Sequence, residues 1–313
     1  MNRRAILLGL GSLALLLLAP LMGSLPPGEA GFFILWQLRV PRVIAGAVVG
    51  STLSLVGAAF QALFGNPLAT PSTVGTTAGG TLGALAALVL AGGMTTLGFP
   101  TVALAAFVGG ASASFAVSLL AATGRARMND VLLGGIAITL AASACAGALQ
   151  AMADQRALFA AAQWSLGHLP QVGYGGVRAL LIPTALTWVV LFGSTRGLQT
   201  LVTGPERART QGLSVLRLRT LILGVGSLGV SACVALCGPI AFVGLVVPHL
   251  VRLLVGARLR IQMPLSWLSG AAFLVSCDAL ARLALPTRDL PVGVITAGLG
   301  APALVLLVMR RQR

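Results

Sequence analysis

The sequence predicts an all-α, polytopic membrane protein of about ten transmembrane helices. Three observations carry that reading. Of 313 residues, 57% are hydrophobic and only 9% are charged, too few polar groups to cover a soluble domain of this length. A bilayer core takes about 20 apolar residues per helix, so the chain holds roughly ten spans with short loops and no room for a soluble domain of ordinary size. Its 40 glycines suit close helix packing in lipid, where small residues let backbones approach. A single transmembrane domain over 1–313 is therefore expected.

Taken in order, hydropathy and breakers place spans near 5–23, 42–63, 72–92, 100–122, 131–152, 176–195, 219–236, 241–256, 264–281 and 291–309. Arg3-Arg4 followed by an apolar run to Gly23 reads as an uncleaved first helix with a cytoplasmic N-terminus. The run is long, and its Pro20-Leu-Met-Gly23 exit is not a small-x-small cleavage site. Pro26-Pro27, Pro67, Pro71, Pro100, Gly238-Pro239, Pro264 and Pro291 punctuate the joins. A weak echo relates Gly57, Pro67 and Gly75 to Gly238, Pro248 and Gly256 at one constant offset, as two halves of opposite topology would.

Charge then orients the spans. The net charge is +15, and every basic residue is an arginine at a span end or in a loop, with no block suited to nucleic acid. Threading from a cytoplasmic N-terminus puts Arg3/Arg4, Arg125/Arg127, the Arg196–Arg219 stretch, Arg258/Arg260 and Arg310/Arg311/Arg313 inside, as the positive-inside tendency asks. Both termini are then cytoplasmic in a multi-pass protein of the inner membrane. Arg39, Arg42, Arg156, Arg178, Arg282 and Arg288 fall outside, and Arg252 falls within the eighth segment.

The absence of lysine excludes a P-loop ATPase and any lysine Schiff base. The cysteines, Cys145, Cys233, Cys237 and Cys277, lie in apolar segments without metal-ligand spacing. No Ser-His-Asp grouping, carboxylate pair or metal-ligand cluster emerges, so catalytic chemistry is not expected, and no covalently bound cofactor is expected either.

Three constellations remain. The outside arginines fit interfacial snorkelling or, because Arg39-Val-Pro-Arg42 brackets a proline and Arg282 ends another span on the same face, a rigid surface for an acidic soluble partner. The polar stretch 203–215 is either a plain basic loop or a short helix: Pro205 suits a first turn, Glu206 the positive end of the helix dipole, and Gly212 the turn that ends it. At membrane depth stand Gln61, Asn66, His249 and Asp278. Asp278 sits four residues before Arg282, the spacing of an ion pair on one helical face. His249 follows Pro248, whose ring frees a carbonyl an imidazole can satisfy.

The order Arg39-x-Pro-Arg42, Gln61-x4-Asn66-Pro-Leu-Ala-x-Pro71, Trp164-Ser-Leu-Gly167, Glu206-x-Ala208-x3-Gly212, Gly238-x-Ile-x-Phe-Val-Gly-Leu-Val-Val-Pro-His249-x2-Arg252, Leu290-Pro-Val-Gly293 and Gly300-Ala-Pro302 resembles the FecCD-type permease subunits of binding-protein-dependent ABC importers for iron–siderophores, haem and vitamin B12. The resemblance covers nearly the whole chain. It implies a vitamin B12 importer-permease-like fold, a second permease copy (a homodimer or a close paralogue pair), two cytoplasmic ABC ATPase subunits that use ATP, and a periplasmic substrate-binding protein. It implies binding-protein docking by Arg39, Arg42 and Arg282, and ATPase coupling through 203–215 with Thr203, Gly204, Glu206, Ala208, Gly212 and Leu213. It also implies a cytoplasmic gate at Asn66, Leu68, Met128 and Asn129. The cargo so implied is a metal chelate, a ferric siderophore first and haem or a corrinoid next, moved by alternating access. Asp289 keeps an acidic charge before Leu-Pro-Val-Gly with a short side chain. Gly75-Thr-Thr-Ala-Gly79-Gly80 departs from the family's usual Gly-Val-Ser-x-Gly-Ala, which bears on the path lining. The rival reading is an ion- or proton-coupled secondary transporter using Asp278 and His249.

Overall fold

The computed structural model describes residues 3–22, 26–90, 95–96, 99–123, 128–170, 172–284 and 289–311; Arg125, Arg127, Arg288 and Arg313 lie outside them. In chain order its helices are α1 (Arg3–Leu18), α2 (Glu29–Phe33), α3 (Val40–Phe64), α4 (Thr76–Leu90), α5 (Thr101–Ala122), α6 (Met128–Met152), α7 (Gln155–Ser165), α8 (Gly175–Gly193), α9 (Thr195–Val202), α10 (Pro205–Thr210), α11 (Val215–Cys237), α12 (Val243–Val255), α13 (Leu259–Leu283) and α14 (Val292–Arg311). Thr95–Thr96 pairs antiparallel with Phe99–Pro100 between α4 and α5. Seven helical stretches are long and apolar enough to cross a membrane, and three shorter apolar helices accompany them (Thr76–Leu90, Val243–Val255 and Val292–Leu306). Each predicted span meets one of these.

The second span differs from expectation at its start. The helical run begins at Glu29 and continues to Phe64, so Arg39-Val-Pro-Arg42 lies within it instead of opening it. Pro41 has no N–H to give the carbonyl of Gln37, and the chain winds more widely, as a π-helical turn, over Ile34–Arg39. The Gln37 carbonyl is used elsewhere: it accepts from the Gly173 N–H at 2.9 Å. One residue back, the Trp36 carbonyl accepts from the Tyr174 hydroxyl at 2.9 Å.

Helix α3 is the axis of the molecule. In its most apolar stretch 89% of the residues are buried, against 67% for α11, 56% for α13, 22% for α6 and 17% for the N-terminal span, so α3 is wrapped by protein while α1 and α6 present most of their surface outward. Its neighbours reach it through glycine. A methyl group on Gly57 would collide with the Gly244 carbonyl of α12, and one on Gly50 with the Gly270 carbonyl of α13, so both crossings need a bare backbone. Some polar groups at this depth are paired. Thr52 donates to Val48 O at 2.7 Å and accepts from Trp188 Nε1 at 2.8 Å.

Two of the three echoed pairs do not mark equivalent positions, although Gly75 and Gly256 each close a helix at positive φ. Gly57 is mid-helix, whereas Gly238 closes α11 with φ 69°; Pro67 follows a helix, whereas Pro248 is inside one. The short helices α2, α7 and α9 were not predicted. Helix α7 has a local cause: Asp154 caps it, its Oδ1 accepting from Ala157 N at 2.7 Å.

Candidate functional site

The hydrogen bonds sort the loops to two ends of the bundle. At one end, Arg42 joins three elements. Its Nε donates to Asp278 Oδ1 on α13 at 2.9 Å and its Nη1 to Asp289 Oδ2, just before α14, at 2.6 Å. Arg282 Nε stands 3.3 Å from the other oxygen of Asp278, the predicted i,i+4 pair. Asp278 is thus shared by two guanidiniums. Arg39 donates to the carbonyls of Met22 at 3.0 Å and Pro20 at 3.5 Å, fastening the exit of α1. The structure therefore brings Arg39, Arg42 and Arg282 to one end, as the sequence suggested, but turns Arg42 inward: its side chain is only 12% exposed and its donors are engaged by the chain's own carboxylates. Asp289 as the second partner was not foreseen. Its one legible signal is its acidic place before Leu290-Pro-Val-Gly293.

A cleft of about 810 Å³ opens beside this cluster, lined among others by Arg42, Trp164, His168, Asp289 and Pro291. Motifs far apart in sequence meet here. The His168 N–H donates to Cys237 O at 2.7 Å and the Gly293 N–H to Gly167 O at 3.4 Å. Any side chain on Gly238 would strike the Trp164 carbonyl, and one on Gly293 the Leu166 carbonyl. Phe242 has φ 67°, the one non-glycine in that region among the described residues, and its ring lies where a Gly300 side chain would stand. Trp-Ser-Leu-Gly, Gly-Pro-Ile, Leu-Pro-Val-Gly and Gly-Ala-Pro are thus one knot that fixes α7, α11, α12 and α14 to each other. His168 was missed by sequence reasoning although it directly follows Trp-Ser-Leu-Gly. It lines the cleft with its side chain exposed there, and partial desolvation by the surrounding protein, then the nearby Arg42 guanidinium, holds it below the usual histidine range.

At the opposite end lies the polar stretch 203–215. Pro205–Thr210 is a helix with Pro205 in its first turn, Glu206 at its N-terminal end and Gly204 before it at φ 120°. Gly212, at φ 79°, ends the turn, and its N–H donates to Arg209 O at 2.9 Å. Ala208 is fully buried, and its carbonyl accepts from the Leu213 N–H at 3.0 Å. Thr203, Glu206, Arg207, Arg209, Thr210, Gln211 and Gly212 face outward, with Glu206 and Arg209 paired at 2.9 Å. The result is a small helix seated on one alanine with a polar upper face.

Nearby, the turn after α3 is held by Asn66, whose Oδ1 accepts from Leu68 N at 2.9 Å while its carbonyl accepts from Ala69 N at 3.1 Å. Asn66 shapes the turn with its side-chain oxygen, and Leu68 is 47% exposed. Met128 lines a cavity with Phe64 and Gly65, which Asn66, Leu68 and Asn129 do not reach. The four predicted gate residues thus share one end of the bundle but not one surface. Gln61, buried within α3, donates from Nε2 to Leu245 O at 3.2 Å, and Gln262 donates to Pro248 O at 3.3 Å. The Pro248 carbonyl thus accepts from a glutamine, whereas the carbonyl that its ring frees is that of Gly244, four residues earlier.

A bundle built around one buried helix, with a charged cleft at one end and a small polar-faced helix at the other, defines a membrane transport permease. The match is specific: the FecCD transport family matches residues 7–310, and the chain belongs to that family. It is 37% identical to the cobalamin import system permease protein BtuC of Halobacterium salinarum, over 94% of this chain and 78% of that one. It is 32% identical to the hemin transport system permease protein HmuU of Yersinia pestis, over 91% and 85%. With the Fe(3+) dicitrate transport system permease protein FecD of Escherichia coli the identity is 35%, over 91% and 88%. Among solved structures it is similar to a metal-chelate type ABC transporter in an inward-facing conformation, with TM-score 0.87 and 26% identity over 96% of this chain and 98% of that chain.

Proposed function

We propose that the chain is the membrane permease of an ATP-driven importer that carries a metal chelate from the periplasm to the cytoplasm by alternating access. The observation that carries this reading is the pairing of the Arg39/Arg42/Arg282 cluster at one end of α3 with the exposed α10 at the other, in a member of the FecCD family. The relatives named for cobalamin, hemin and ferric dicitrate are 37%, 32% and 35% identical. Identity therefore does not put the ferric siderophore ahead of a corrinoid or haem, and the cargo class is the chelate itself.

In this reading the Arg42 end faces the periplasm and receives a substrate-binding protein, while the Pro205 end and both termini face the cytoplasm. The weight of arginine at the Pro205 end supports that orientation. Two ATPase subunits grip α10, whose polar face is free while Ala208 anchors it to the bundle. Asn66, Leu68, Met128 and Asn129 narrow the cytoplasmic exit. A second copy covers α6, whose outward side carries Ala137, Ala141, Ala144 and Ala148, the small-residue spacing that lets helices approach in lipid. A proton-coupled transporter gains no support, because Asp278 is held by two arginines.

Arg42 and Arg282 also brace Asp278, so reversing them tests folding as well as docking. Arg39 is the cleaner probe, since it donates to the Met22 and Pro20 carbonyls and forms no ion pair with Asp278. In liposomes with the cognate ATPase and binding protein, Arg39→Glu should abolish most binding-protein stimulation of ATP hydrolysis while the variant still co-purifies with the ATPase. Undiminished stimulation would remove the docking role. An absorption spectrum of the loaded binding protein identifies the chelate.

A further inference from the structure

We propose that the cavity at the Pro205 end is a binding site for a phosphate-type oxyanion bearing a hydroxyl group, held by Arg219, Arg252 and Gln61. The cavity measures about 430 Å³, within the range of small-ligand pockets, about 300–1,000 Å³. Two guanidiniums line it and no carboxylate does. Among the described residues neither Arg219 nor Arg252 has an acidic partner. The Nε of Arg219 is buried with no hydrogen-bond acceptor. Uncompensated guanidiniums sharing a recess select an oxyanion, which they meet with planar, charge-assisted hydrogen bonds.

Gln61 refines the ligand. It is 3% exposed and lines the same cavity. Its Nε2 is spent on the Leu245 carbonyl, which can only accept, so its Oε1 is the atom left over, buried and without a donor. That orphan acceptor needs a donor, and on an oxyanion a hydroxyl is the donor that leaves the ligand's negative charge intact. A phosphodiester with a hydroxylated headgroup supplies both features, as does a protonated free phosphate. The lining includes the C-terminus of α3 at Phe64 and Gly65, Arg219 near the start of α11 and Arg252 near the end of α12. These helix ends are the level at which lipid headgroups lie. Gly204 and Pro205 complete the wall, so an occupant would touch the base of α10.

The test uses the purified full-length chain. Native mass spectrometry after exchange into micelles containing equal phosphatidylglycerol and phosphatidylcholine should show phosphatidylglycerol retained on the order of tenfold more. The double variant R219Q/R252Q should lose that preference, as should Q61E, which places a carboxylate at the orphan acceptor. R252Q alone, at an exposed position, covers the case in which the double variant fails to fold. R258Q/R260Q removes two exposed arginines next to the cavity and should keep the preference. If phosphatidylglycerol shows no preference but inorganic phosphate, compared with chloride at equal ionic strength, raises the unfolding temperature of the wild type and not of R219Q/R252Q, the source is a soluble phosphate. If neither probe separates wild type from R219Q/R252Q, or if R258Q/R260Q loses as much, the arginines act only as surface charge and the site is overturned.

Discussion

At the Arg42 end of α3 one guanidinium is held between a carboxylate that is 2% exposed and another that is 42% exposed. At the Phe64 end the guanidiniums of Arg219 and Arg252 share a cavity without any carboxylate. Both ends carry arginine and each has an ion pair, but only the first buries one: Glu206 and Arg209 meet on the exposed face of α10, and Arg219 and Arg252 have no carboxylate among the described residues. The difference follows from depth and neighbours. Arg42 is inside the helical run, where an unpaired charge is costly, and α13 supplies Asp278 one helical turn before Arg282. Arg219 and Arg252 stand at helix ends, where solvent, headgroups or a bound anion can serve them. The first end is built to hold its shape, and the second is left to be completed.

Breaking the internal pair should have the largest effect. Asp278→Ala leaves Arg42 and Arg282 without their common partner and should cost about 3–5 kcal/mol, measured by thermal or denaturant unfolding in detergent. Asp289→Ala removes the more exposed partner and should cost about 1 kcal/mol or less. Equal losses would show that burial does not rank the two carboxylates. At the other end, Gln61→Leu forfeits the bond to Leu245 O but also removes an orphan oxygen, so the net change should be about 1 kcal/mol. A loss as large as that of Asp278→Ala would erase the contrast between the ends. Arg209→Ala breaks an exposed i,i+3 pair and should shift stability by less than about 0.5 kcal/mol. The smallest effect belongs to His168. The fold favours its neutral form, so its contribution is present above the ordinary value of 6.5 and is lost as pH falls through and below it. Unfolding temperature should dip slightly from pH 7.5 to 5.5, and His168→Gln should remove that part of the dip.

Much of the fold was legible because lipid demands long apolar runs, and the spans declare themselves by composition. The i,i+4 pairing of Asp278 with Arg282 and the Pro205 helix were legible too, since both are local. What stayed hidden was non-local. Nothing adjacent to Arg42 announces that its partners are Asp278 and Asp289, more than two hundred residues on. The knot joining Gly167, Gly238 and Gly293 showed only as separate motifs. Helix α7 was passed over because it is too short and polar to register as a span, although its Asp154 cap was readable. The continuous helix through Pro41 was missed because a proline ordinarily marks a boundary.

That proline carries a consequence for how distant positions depend on one another. By leaving the Gln37 carbonyl without its usual partner, Pro41 turns the rim of a helix into a socket, and the Gly173 N–H is the plug. A substitution that restored an N–H at position 41 would compete for that carbonyl with a segment more than a hundred residues downstream, weakening the bond that Gly173 makes. Positions 41 and 173 are therefore linked through one carbonyl of the backbone, which only a proline at 173 would leave without its donor.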